Sequence, residues 1–178
     1  MEKRLKTSSG RIAFIAVMAA MTTLSNLIMI PMPQPLAEYD LSPVLIYTLG
    51  VLVDPVTAGI IVALAIMLGT GYKVVTFGFP IVFVPGAMLV RGLEAAAISA
   101  VIRMRKEPET DTVSSWELFA MVFGAVFETV GFFVLDWYLF GWGVALTVIP
   151  TIVDVVFVPV AIGVVAATRR RLGVYRLI

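Results

Sequence analysis

From Ile12 onward the chain alternates long apolar runs with short polar breaks, and six of the runs have the character of membrane crossings. They lie at approximately Ile12–Ile30, Ser42–Val53, Val56–Tyr72, Pro80–Ile102, Trp116–Phe140 and Thr147–Thr168. A helix needs about 20 residues to cross about 30 Å of hydrocarbon, so the second and third runs are short unless they tilt, lengthen into their flanks or re-enter. Asp54-Pro55 separates those two runs, because a proline disfavours helix at the residue before it and favours a turn. The pattern predicts an all-α membrane protein, with six transmembrane helices in a single integral membrane domain over residues 1–178.

The basic residues orient these helices. Lys3, Arg4, Lys6 and Arg11 precede the first run, Arg103, Arg105 and Lys106 follow the fourth, and Arg169, Arg170, Arg171 and Arg176 follow the sixth. Six alternating crossings bring all three clusters to one side. The positive-inside rule then places both termini in the cytoplasm. The first run is longer than a signal-peptide core and is expected to be retained as a span. The polar stretch from Arg103 to Ser115 becomes a cytoplasmic loop, and Ser114 with Glu117 predicts a capping box opening the fifth helix. On the other side lie a proline-rich loop, Pro31 to Pro35, and the acidic approach Glu38-Tyr39-Asp40.

Composition agrees. The 178 residues are 60% hydrophobic and 14% charged, with mean hydropathy +1.02, far from the balance of soluble domains. Cysteine and histidine are both absent. That removes disulfides, thiolate chemistry and the commonest general base and transition-metal ligand. There is no P-loop, no Ser/His/Asp set and no dense carboxylate motif. Neither a cofactor nor enzymatic activity is expected, and the net charge of +1 gives no sign of a nucleic-acid partner.

Ionisable residues inside apolar runs are expensive and usually face a protein interior or a wet cavity. Arg91 and Glu94 in the fourth run, Glu128 and Asp136 in the fifth and Asp154 in the sixth are of this kind. Arg91 and Glu94 are three apart and can pair on one helix face. Pro159 is positioned to kink the sixth helix. If the outer halves of the last three helices converge, Arg91, Glu128, Asp136 and Asp154 surround a polar pocket with aromatic walls. Asn26, Tyr39, Asp40, Lys73 and Trp137 join them as candidate substrate-binding residues, although Trp137, Tyr138 and Trp142 equally suit an interfacial belt. Ala16 and Ala20 have small-xxx-small spacing, as do Ala96 and Ala100, and suit close helix approach.

Three stretches resemble the S components, the substrate-binding subunits, of energy-coupling factor (ECF) vitamin transporters. They are the alanine-rich RIAFIAVMAAMTTLSN, the hairpin DLSPVLIYTLGVLVDPVTAGIIVALAIMLG and the fourth run FPIVFVPGAMLVRGLEAAAISAVI. Asp54-Pro55 stands where the family often has Gly-Pro. The resemblance implies a subunit in the cell membrane that captures a water-soluble vitamin or precursor from outside. It implies as partners a transmembrane coupling protein, contacted through Ala16 and Ala20, and two ABC ATPases that drive a toppling of the subunit. Riboflavin is the first expectation, because the acidic YDLSP approach is similar to that branch. Two other readings stand beside it: a small membrane enzyme acting on a lipid headgroup, with Asp136 and Asp154 holding a metal, and a structural assembly subunit.

Overall fold

This computed structural model describes residues 8–30, 39–105 and 110–172. The sequence expectations for Lys3, Arg4, Lys6, Lys106, Arg176, Glu38 and the Pro31–Pro35 loop fall outside them. In order the chain forms α1 (Ser8–Leu27), β1 (Met29–Ile30), β2 (Tyr39–Asp40), α2 (Ser42–Leu52), α3 (Pro55–Phe77), α4 (Phe83–Arg103), α5 (Ser115–Phe140) and α6 (Trp142–Ala145). A 3-10 stretch, Leu146–Phe157, then leads into α7 (Val158–Leu172).

Five helical segments are long and apolar enough to cross a membrane: 9–27, α3, α4, α5 and the continuous 142–171. Their outer faces are studded with exposed Ile, Leu, Val and Phe, while Arg91, Glu94, Glu128 and Asp154 are buried. A water-soluble bundle would invert this arrangement. The protein is a multi-pass, all-α membrane protein.

Helix α2 is the exception in length. Its 11 residues rise only about 16 Å, yet nine of them are buried, and it runs through the middle of the bundle. Ser42 at its start meets Arg91 of α4. At its far end the Val53 carbonyl accepts from Ser99 Oγ at 2.6 Å. Since Ser99 is eight residues beyond Arg91, the two helices run side by side in the same direction. Its side chains Ile46 and Leu49 pack with Ile61 and Ile66 of α3, Ile98 of α4 and Met121 of α5 to form the core.

Local chemistry sets the helix ends. Asp54 accepts the Thr57 N–H at 3.1 Å and Pro55 occupies the first turn of α3, so the expected break between the two short runs is a proline-marked N-cap. Gly78 closes α3 in the left-handed conformation, at φ 73°. The Ser114–Glu117 capping box forms as expected. Glu117 also receives Arg169 of α7 through both guanidinium nitrogens, at 2.5 and 3.1 Å, which locks the α5 and α7 ends together. Pro159 falls in the first turn of α7, where the 3-10 stretch gives way to α-helix.

The tightest helix contact lies between α3 and α4. A Cβ on Gly92 would stand 3.1 Å from the Ala63 Cβ, and one on Gly59 would stand 3.2 Å from the Gly92 carbonyl oxygen. Here Gly59, Ala63, Gly92 and Ala96 form the small-residue seam, one turn earlier on α4 than the Ala96–Ala100 strip expected from sequence.

Candidate functional site

Helices α1 and α2 do not reach as far as their neighbours at one end of the bundle. Near the end of α1, Asn26 faces Gly69 of α3, and α3 continues eight residues further, about 12 Å. Likewise Arg91, level with the start of α2, sits eight residues in from the first residue of α4. The β1–β2 pair occupies part of this step, with Met29 opposite Asp40 and Ile30 opposite Tyr39. Beside it opens a cavity of about 280 Å³.

Its floor is a connected set of charges. Asp40 is the centre: it accepts Asn26 Nδ2 at 2.7 Å and the Ser42 backbone N–H at 2.8 Å, and it lies 3.5 Å from Lys73 Nζ and 3.5 Å from Arg91 Nη1. Its carboxylate satisfies an N–H at the start of α2, where the helix dipole favours negative charge. Arg91 donates through Nη1 to Ser42 Oγ. Its Nη2 lies 2.7 Å from Glu128 Oε1 and 3.8 Å from Asp154 Oδ2. One guanidinium thus joins α2, α4, α5, the 3-10 stretch and the β2 strand, a use of its forked geometry that lysine cannot reproduce.

Asn26, Asp40, Lys73, Arg91, Glu128 and Asp136 line the cavity, as the sequence reading grouped them. Asp154 stands behind Glu128, 2% exposed, and faces Arg91. Tyr39 does not line the cavity. Its ring is buried and its hydroxyl donates to the Pro150 carbonyl, tying β2 to the 3-10 stretch.

Trp137 is a correction. It is 53% exposed and stands edge-on to Trp142 at 5.6 Å between centroids, outside the cavity. Its place suits the interfacial belt instead. The expected Arg91–Glu94 pair is also absent. Arg91 turns to Glu128, and both Glu94 carboxyl oxygens are buried without a hydrogen-bond partner. The alanines of α1 divide: Ala19 is buried, whereas Ala16 and Ala20 are exposed on the outer surface of the bundle. Internal packing therefore does not use the Ala16–Ala20 strip.

Sequence reasoning missed much of the wall. Phe79, Phe83 and Phe132 supply aromatic surface, and Thr70, Thr147 and Thr151 supply hydroxyls. Thr151 donates to Thr129 at 3.1 Å. The one available signal was the spacing of Phe132 four residues before Asp136, which puts both on one face of α5. Among the described residues no three His, Cys, Asp or Glu side chains form a metal-binding set.

No protein-family model, no curated protein and no solved structure matches this chain.

Proposed function

We propose that this chain is the substrate-binding subunit of an ECF-type importer in the cell membrane, capturing a water-soluble vitamin or precursor from outside. The observation that carries the reading is the cavity itself, with charged groups from five elements at its floor and phenylalanines on its walls. Its volume of about 280 Å³ lies just below the usual range of about 300–1,000 Å³ for ligand pockets, so it suits a small molecule. A mostly apolar hollow with a few convergent polar groups binds a small organic molecule better than it conducts a bare ion.

Three further features support it. The residues Arg103, Arg105 and Arg169–Arg171 lie at the end of the bundle away from the cavity, so the positive-inside rule turns the cavity mouth outward. That orientation puts both termini in the cytoplasm once α2, continued by the β1–β2 hairpin, counts as the sixth crossing. Ala16 and Ala20 leave a low-relief strip on the exposed face of α1, suited to a transmembrane coupling protein. Finally, the sequence has no P-loop, so the energy for toppling would come from two ABC ATPases on other chains.

The test is mass spectrometry of the small molecule that copurifies with the protein in detergent, followed by titration of that molecule onto ligand-stripped protein. A single organic compound bound stoichiometrically and independently of metal is the expected result. Metal-dependent turnover of a lipid, or no bound molecule at all, would sink the proposal.

A further inference from the structure

Acidic side chains outnumber basic ones around the cavity. Asp40, Glu94, Glu128, Asp136 and Asp154 lie in or beneath its walls alongside two basic residues, Lys73 and Arg91, and all seven residues are at most 7% exposed. No other cation is close in sequence. Every remaining Lys and Arg belongs to the clusters before or at the start of α1, at and beyond the end of α4, or at and beyond the end of α7, and residues 31–38 (PMPQPLAE) contain none.

Asp40, Glu128 and Asp154 all face Arg91, and Asp40 faces Lys73 as well. Asp136 is different. Among the described residues it is the acid that lines the cavity without an ion pair; it is 5% exposed, and its Oδ1 has no hydrogen-bond partner. Eight residues separate it from Glu128 on α5, about 12 Å along the helix, so it forms a separate pole nearer the mouth. Phe132 shares its helix face, and Phe83 lines the same cavity. A buried carboxylate without a partner is costly, and ring faces attract cations. An anionic ligand would bring a further acid against this acidic wall, whereas a cation would supply Asp136 with the partner it lacks.

We propose that the cavity takes an organic cation, a small ring-bearing molecule whose protonated amine or quaternary nitrogen seats against Asp136 and the neighbouring phenylalanines. The assignment rests on the binding-subunit reading above and narrows it. It sets a charged ligand against the neutral riboflavin suggested by the YDLSP approach.

Three probes that share one ring test it on purified, ligand-stripped protein by calorimetry: 3-(aminomethyl)pyridine as the cation, 3-(hydroxymethyl)pyridine as the neutral form and pyridine-3-carboxylate as the anion. The cation binds about 10-fold tighter than either other probe, the scale of one charge-assisted hydrogen bond. In Asp136→Asn the advantage of the cation over the neutral probe falls to about threefold or less. Equal or tighter binding of the neutral or anionic probe overturns the assignment. Should Asp136→Asn fail to fold, the order of the three probes on the unaltered protein decides. A neutral or anionic copurifying molecule overturns the cation while leaving the binding-subunit reading intact. Absence of any copurifying molecule, together with no binding of all three probes, overturns both.

Discussion

Arg91 of α4 and Glu128 of α5 stand 2.7 Å apart, Nη2 to Oε1, with side chains 8% and 1% exposed. The guanidinium sits eight residues from one end of α4 and 12 from the other, well inside the bundle, and it faces Asp40, Ser42 and Asp154 as well. Removing it leaves several carboxylates facing one another without a counter-charge. Arg91→Met is expected to lower unfolding stability in detergent by about 3–5 kcal/mol, the usual cost of breaking a buried pair from one side. Arg91→Met combined with Glu128→Gln should recover part of that loss. Equal destabilisation by the single and double variants would show that the pair is not the coupling element. Arg91→Lys is expected to resemble the methionine variant, since a single ammonium cannot reach all of these partners.

Gly69 of α3 tests the floor from behind. A Cβ there would stand 2.2 Å from Asn26 Oδ1 and 3.0 Å from its Cγ, so Gly69→Ala must displace the amide that donates to Asp40. A loss of about 1–3 kcal/mol is expected from the overpacking, with weaker binding of the copurifying molecule. Adding Asn26→Ala relieves the clash and restores part of the stability, less the lost hydrogen bond to Asp40, without restoring affinity. Thermal unfolding and calorimetry on the same three proteins separate the two effects.

At the other end of α3, Asp54 caps the helix. Burial opposes its ionisation, but the hydrogen bonds to Thr57 and Val56 and the charge of Arg103 outweigh it and hold the pKa below the ordinary carboxylate value. A lowered folded-state pKa contributes stability that is present above the unfolded value and is lost as pH falls through the folded one. Asp54→Ala should cost about 1 kcal/mol at neutral pH. The gap between variant and unaltered protein should close as pH drops below about 4, the region of an ordinary aspartate. A gap that persists at low pH would show that the carboxylate charge is not what stabilises the turn.

Ala16 and Ala20 are exposed, so the bundle does not need them small. Ala16→Trp and Ala20→Trp should leave stability within about 0.5 kcal/mol of the parent, and under the importer proposal they should leave ligand affinity unchanged while abolishing uptake in cells. Loss of affinity in purified protein would instead place the strip in internal packing.

The elements and most of the cavity were legible because a charged residue within an apolar run is conspicuous and must be housed somewhere. Arg91, Glu128 and Asp136 stand out on that ground alone, whereas Asn26 is an uncharged amide and Asp40 and Lys73 lie at the edges of the runs. Side-chain pairing was less legible: Arg91 is as close in sequence to Glu94 as helix geometry allows, yet it turns to Glu128 on a different helix. The threonines were silent for another reason. A helical threonine satisfies itself on its own helix, as Thr129 does on the Ala125 carbonyl at 2.9 Å, so its presence in an apolar run announces nothing. Trp137 misled because an aromatic at a helix end serves a pocket or an interface equally well. Two-residue strands carry no periodicity at all, which hid the β1–β2 pair.

That pair, with the 11-residue α2 after it, has a consequence for how the protein is made. Extended backbone and a helix of about 16 Å cannot stand alone in lipid, because their polar groups and ends need protein partners. Residues 28–30 and 39–52 are therefore expected to reach their final place only after α3, α4 and α5 have gathered to receive them. Asp40 and Ser42 travel on this late segment, so the floor of the cavity is among the last parts of the molecule to form.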